Sequence, residues 1–151
     1  IIWARKSAKI THYYNYSIMK QINSNKQMTD VWQLPAIARW EKSCGKHPTQ
    51  KPLSVLARLI QASTKSGAWI LDPFNGSATT GIAANLLGRR YLGLELEDEF
   101  LSISKARREE IENLSIRGNY LERLAKAKII PPQDNFHVVA DNELDYGVPW
   151  L

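Results

Sequence analysis

The sequence predicts an α/β fold, half of a doubly wound parallel sheet, on three observations. An apolar run, Ala68-Trp69-Ile70-Leu71, ends in Asp72, and a second, Tyr91-Leu92-Gly93-Leu94, ends in Glu95. A glycine-bearing turn, Asp72-Pro73-Phe74-Asn75-Gly76-Ser77, leads from the first run into a helical segment. Helical patterning flanks both runs, and strands alternating with helices build parallel sheets whose carboxyl strand ends line a ligand crevice.

Taken in chain order, Ile1-Ile2-Trp3 reads as a strand with no lead-in. Residues 4–46 keep no sustained period and read as a loop-rich, basic insertion with one short helix over Tyr16–Ile22. From Leu53 to Ser63, Leu53, Leu56, Leu59 and Ile60 share a helical face. Residues 68–72 then form a strand, expected to be buried. Asp72-Pro73 biases the chain away from helix, and Asn75-Gly76 supplies a turn that tolerates positive φ. Ser77, Thr79 or Thr80 can cap a helix over 79–87, with Gly88 as its stop. A strand follows over 90–96 and a helix over 98–113. Glu97, Asp98 and Glu99 open that helix, with Lys105, Arg107 and Arg108 further along, in the sense that complements a helix dipole. These charges read as a solvated face. A last helix over Tyr120–Lys128 stops before Pro131-Pro132, and the acidic remainder carries no functional signal.

Composition bounds the rest. A chain of 151 residues with 44% hydrophobic content suits one domain with a buried core. One cysteine, Cys44, excludes an internal disulfide and a cysteine-based zinc site, which fits a reducing compartment, by default the cytoplasm. The apolar runs are too short to span a bilayer, and the first residues lack the charged-then-apolar order of a signal peptide. His12, His47 and His137 have no metal-ligand spacing, so no metal is expected. The net charge of +5 is uneven: residues 1–52 hold nine Lys and Arg against two acids, Asp30 and Glu41. That basic third is interleaved with Trp3, His12, Tyr13, Tyr14, Tyr16, Trp32 and Trp40, which suits phosphate contacts and stacking on bases. Arg5, Lys6, Lys9, Lys20 and Lys26 are its candidate nucleic-acid contacts.

Upstream of the glycine turn stands Lys46-His47-Pro48-Thr49-Gln50-Lys51-Pro52, about twenty residues before Asp72-Pro73-Phe74-Asn75-Gly76-Ser77. The two segments, in this order and at this spacing, resemble the C-terminal part of a DNA amino-methyltransferase of the β arrangement. Lys26-Gln27-Met28-Thr29-Asp30-Val31-Trp32 resembles the adenine-specific members. The resemblance covers roughly residues 1–112. It implies a partial Rossmann-like, S-adenosyl-L-methionine-dependent methyltransferase sheet acting on the N6 amine of adenine in double-stranded DNA, within a restriction-modification system. N4-cytosine methylation and a non-catalytic remnant are the alternatives.

The resemblance also divides the chain. Residues 1–46 would end a sheet strand and contact DNA, residues 47–115 would bind the cofactor, and residues 116–151 have no assigned role. His47, Thr49, Lys51, Asp72, Phe74, Asn75, Gly76, Ser77 and Glu95 are the candidate cofactor residues. Glu95 is the ribose acceptor, Thr49 and Lys51 the partners of the methionine carboxylate, and Phe74 an aromatic face for the sulfonium or adenine. Two departures stand out. Ala78 occupies a position where many members carry a second glycine, acceptable only if its φ stays negative. The (D/N/S)-PP-(Y/F)-type tetrapeptide that accepts the target amine is nowhere in the chain, so no catalytic residue is expected here. With no initiator methionine, the chain reads as the C-terminal part of an enzyme whose remaining N-terminal part is a separate chain or lost.

Overall fold

A computed structural model describes Ala4 and residues 6–132. The strand expected over Ile1–Trp3, the candidate contact Arg5, His137 and the acidic stretch after Pro132 lie outside those residues. In order, the elements are α1 (Tyr16–Ile22), a short 3-10 turn (Arg39–Lys42), α2 (Leu53–Ser63), β1 (Trp69–Asp72), α3 (Thr79–Leu86), β2 (Arg90–Gly93), α4 (Asp98–Glu110) and α5 (Leu114–Lys126).

The α/β alternation is realised: β1 and β2 pair in parallel, Ile70 beside Tyr91 and Leu71 beside Leu92. Two backbone bonds carry the pairing past the strand ends, Leu94 N–H to Asp72 O (3.0 Å) and Asn75 N–H to Leu94 O (2.9 Å). Helix α3 covers the face presented by Ile70 and Tyr91. It comes this close because residue 81 is glycine: a Cβ there would stand 2.5 Å from the Tyr91 ring. Leu53, Ala57 and Ile60 of α2, Ile82, Ala83 and Leu86 of α3, and Tyr120, Leu121 and Leu124 of α5 form one core with Ile111, Ile129 and Ile130. Each fully buried Leu or Ile contributes roughly 1.5–3 kcal/mol.

Several sequence expectations need correction. The strands are half-buried, not buried: the opposite face carries Trp69 (56% exposed), Leu71 (62%), Leu92 (49%) and Leu94 (54%). Short apolar runs cannot distinguish one covered face from two. The second strand ends at Gly93, so Glu95 lies just beyond it. None of Ser77, Thr79 or Thr80 caps α3: the cap position is Ala78, whose side chain has nothing to donate or accept. Helix α4 stops at Glu110 and α5 starts at Leu114, six residues before the expected Tyr120. The signal lay in Asn113, whose side chain accepts the Ser115 and Ile116 amides (3.0 and 3.2 Å) and caps α5.

The insertion is tethered, not free. Met19 and Ile22 of α1 pack with Ala62 of α2 in a second small core, flanked by Ile18, Met28 and Trp32. Its other anchor is Glu41, only 4% exposed. One carboxylate oxygen accepts the Ala38 amide (2.9 Å) and the other the amide of Leu53, the first residue of α2 (2.7 Å). The Glu41 carbonyl accepts the Gln50 side chain (2.7 Å). A carboxylate at a helix amino end is favoured by both the free N–H groups and the dipole. Glu41 therefore fixes where the 47–52 segment ends and α2 begins.

Candidate functional site

The site assembles at the carboxyl ends of β1 and β2, where the chain leaves the sheet. Asp72 builds the turn: one carboxylate oxygen accepts the Phe74 amide (3.1 Å) and the other the Thr80 hydroxyl (2.6 Å). The first bond is an Asx turn, and the second ties the strand end to the first turn of α3. Asn75 is buried beneath the turn and accepts the Tyr91 hydroxyl at 2.5 Å. A Cβ on Gly93 would lie 2.6 Å from that same Asn75 oxygen, so the neighbouring strand is glycine where the turn sits on it. Burial, with Asp72 nearby, pushes the Tyr91 hydroxyl well above its ordinary range.

Glu95 closes the turn from the other strand. One carboxylate oxygen accepts the Gly76 amide at 2.6 Å, and the other accepts the amides of Leu96 and Glu97 (2.9 and 3.1 Å). The Glu97 amide first, then those of Gly76 and Leu96 and the nearby His47, hold this carboxyl below the usual carboxylate range despite partial burial. Charge on Glu95 thus supports the turn above its ordinary pKa, and that support is lost only as pH falls through the depressed value. A carboxylate offers about four lone-pair directions, and three are taken here.

His47 brings the upstream segment to the same place. Its ring packs on Phe100 of α4, centroids 4.1 Å apart, and a Cβ on Gly76 would stand 2.9 Å from its Nε2. Gly76 adopts φ +53°, so glycine is needed here for both conformation and room. His47, Asn75, Gly76, Ser77, Asp72 and Glu95 therefore converge, with Phe74 (89% exposed) and Leu96 (98%) standing open at the edge of the turn. Thr49 and Lys51 lie on the exposed part of their segment: Thr49 N–H reaches His47 Nδ1 (3.3 Å) and Lys51 Nζ the Thr49 carbonyl (3.0 Å).

Two residues around the turn differ from the sequence expectation. Arg107 belongs to no solvated face: it is 1% exposed, and its Nη1 donates to the Ser77 carbonyl (2.6 Å), the Ser77 hydroxyl (3.2 Å) and the Thr79 hydroxyl (3.0 Å). Its Nε and Nη2 have no hydrogen-bond partner. Ala78 has φ +58°, so the condition of negative φ fails. The only sequence signal for Arg107 is that it precedes Ile111 by four on the helix face that meets the core.

Lys6, Lys9, Lys20 and Lys26 are exposed, together with Tyr13, Tyr14 and Tyr16. Two tryptophans of this segment, Trp32 and Trp40, are half-buried and packed on the chain's own residues. Trp40 packs edge-on against Tyr120 (4.7 Å) with the Arg123 guanidinium over its ring (4.7 Å), and Trp32 carries Arg58 at 5.6 Å. Apolar rings found better partners in the core than in solvent. No group of three or more His, Cys, Asp or Glu able to hold a metal occurs among the described residues, and no helix there is long and apolar enough to cross a membrane.

A family model described as DNA methylase, covering the N6 and N4 types, matches residues 1–106. The chain belongs to this DNA methylase family. The type II methyltransferase M2.MboI of Moraxella bovis is 53% identical over 126 residues, 83% of this chain and 46% of the relative. M2.DpnII of Streptococcus pneumoniae is 54% identical over 110 residues, 72% of this chain and 41% of the relative. The solved structure of the M1.HpyAVI–SAM complex superposes with a TM-score of 0.52 at 32% identity, over 66% of this chain and 45% of that one. This methylase chain thus spans about half the length of the relatives it matches, and its fold is the partial Rossmann-like sheet of such methyltransferases.

The two sides of residue 76 predict a contrast in stability. Gly76→Ala meets both positive φ and the His47 ring, and is expected to destabilise the chain by about 1–3 kcal/mol. Gly118→Ala, in the middle of α5 with open space around it, should stabilise by about 0.5–1 kcal/mol. Urea unfolding of both variants reads the difference, and equal effects would contradict the placement of His47 on the turn.

Proposed function

We propose that this chain is the S-adenosyl-L-methionine-binding part of a type II, adenine-N6 DNA methyltransferase of a restriction-modification system. The observation that carries the reading is the convergence of His47, Gly76 and Glu95 at the carboxyl end of a parallel sheet. An open, glycine-permitted turn beside a carboxylate is what a ribose-bearing cofactor needs. S-Adenosylmethionine supplies the methyl group; the chain's own residues bind and orient it. Glu95 holds the turn and retains one free lone-pair direction toward a ribose hydroxyl. Phe74 and Leu96 offer apolar surface to the adenine. Thr49 and Lys51 stand on the His47 segment, where a carboxylate would find a hydroxyl and an ammonium. Support comes from the relatives, which are methyltransferases by name, and from the M1.HpyAVI–SAM complex. The adenine assignment rests on the 26–32 segment.

Double-stranded DNA is the proposed partner of residues 4–46, through Arg5, Lys6, Lys9, Lys20 and Lys26. Exposure of the four described lysines and of Tyr16 supports the reading. The target amine would be met by the tetrapeptide absent from these residues, on the remaining N-terminal part of the enzyme, in the cytoplasm.

Two measurements test this. Because Glu95 both shapes the turn and faces the ribose, Glu95→Ala should weaken S-adenosylmethionine binding at least tenfold by calorimetric titration, about 1.4 kcal/mol. Glu97→Ala and Glu99→Ala, on exposed residues, should each change it less than about threefold. Sensitivity at residue 97 or 99 instead would overturn the ribose assignment. Fluorescence anisotropy on a short duplex should show affinity that falls steeply from low to moderate salt, as phosphate neutralisation requires. Salt-independent binding would remove the lysines from the interface.

A further inference from the structure

Arg107 is the most deeply buried charge of the described residues. It forms no ion pair there, and two of its three nitrogens have no partner. Glu41, Glu110, Cys44 and Tyr120 lie near enough to favour its charge, yet burial dominates and works against it. A buried, incompletely satisfied cation usually costs more than an apolar side chain of the same shape. The nitrogen that is satisfied spends all its bonds on the turn, taking the Ser77 carbonyl and the hydroxyls of Ser77 and Thr79.

The Ser77 carbonyl belongs to the peptide plane that enters Ala78. Holding that oxygen fixes the plane, and the plane's orientation sets φ of Ala78 at +58°. Left-handed backbone is disfavoured for alanine and nearly free for glycine. No side-chain cap at the start of α3 offers another restraint. Residue 78 also closes the turn, its amide donating to the Asn75 carbonyl at 2.9 Å while its own carbonyl accepts the Ile82 amide at 2.9 Å.

We propose that Arg107 is a positioning residue for the cofactor turn: from α4 it clamps the Ser77 carbonyl and so keeps Ala78 left-handed, doing for this alanine what a glycine would do by itself. The inference rests on the reading of this turn as the cofactor site. Arg107 touches no ligand in this scheme; it acts through the backbone of residues 77–79.

A double-mutant cycle with two readouts tests it on the full chain, using Arg107→Met, Ala78→Gly and the pair. In Arg107→Met, protection of the residue 78 amide against hydrogen exchange should fall at least tenfold, while amides of α5 keep theirs. S-Adenosylmethionine affinity should fall at least tenfold in the same variant. Adding Ala78→Gly to Arg107→Met should recover at least threefold of both, more than Ala78→Gly changes either in the presence of Arg107. If Arg107→Met does not fold, Arg107→Lys replaces it in the cycle; it keeps the charge but cannot span three oxygens, and should lower protection at residue 78 at least threefold. Unchanged protection at residue 78 in a folded variant, or the same effect of Ala78→Gly with and without Arg107, overturns the clamp and leaves Arg107 a packing residue. If the unsubstituted chain binds no S-adenosylmethionine, the cofactor reading fails, and the exchange data still decide the clamp.

Discussion

The contact on which this structure turns is the 2.6 Å bond from the Gly76 amide to the Glu95 carboxylate. It joins the loop that leaves one strand to the chain that leaves the next, so two parallel strands of four residues each end in a single shaped edge. An amide–carboxylate bond is roughly twice as strong as a neutral one. Around it the remaining turn atoms fall into place: Asp72 spans to Thr80, Asn75 rests on Tyr91, and His47 occupies the room left by a missing Cβ at residue 76.

The second feature is how much of the site is supported from below by single buried polar groups. Glu41 sets the start of α2 and the end of the His47 segment; Arg107 holds the far side of the turn. Both are charges from stretches that look ordinary along the chain, and both reach partners twelve or thirty residues away. The outward face of the sheet is the opposite case. Trp69, Leu71, Leu92 and Leu94 form a contiguous apolar strip that the described residues leave exposed, in a methylase chain about half as long as its relatives. Parallel sheets are ordinarily covered on both faces.

Much of this was legible in the sequence because the relevant signals are local. Helix Leu53–Ser63 follows the apolar period, and the strand–turn–helix order around Asn75-Gly76 is set by turn chemistry that acts within four residues. The convergence of His47 with the turn was readable only through the spacing of two motifs. What was not legible depends on distance in space. The covered face of β1 depended on where α3 packs, and Arg107 looked solvated because Lys105 and Glu109, two residues to either side, are exposed. Ala78 shows the same limit in reverse: its backbone angle is decided by a side chain on another helix.

The central claim is that a cofactor edge is built by the tie between Gly76 and Glu95, and amide NMR during titration with S-adenosylmethionine tests it most directly. The account predicts saturable shifts concentrated at residues 47, 74–78 and 95–97, with the amides of α5 unmoved. Shifts confined instead to the cleft between Tyr13, Lys65 and Arg89, at the opposite ends of the strands, would contradict it.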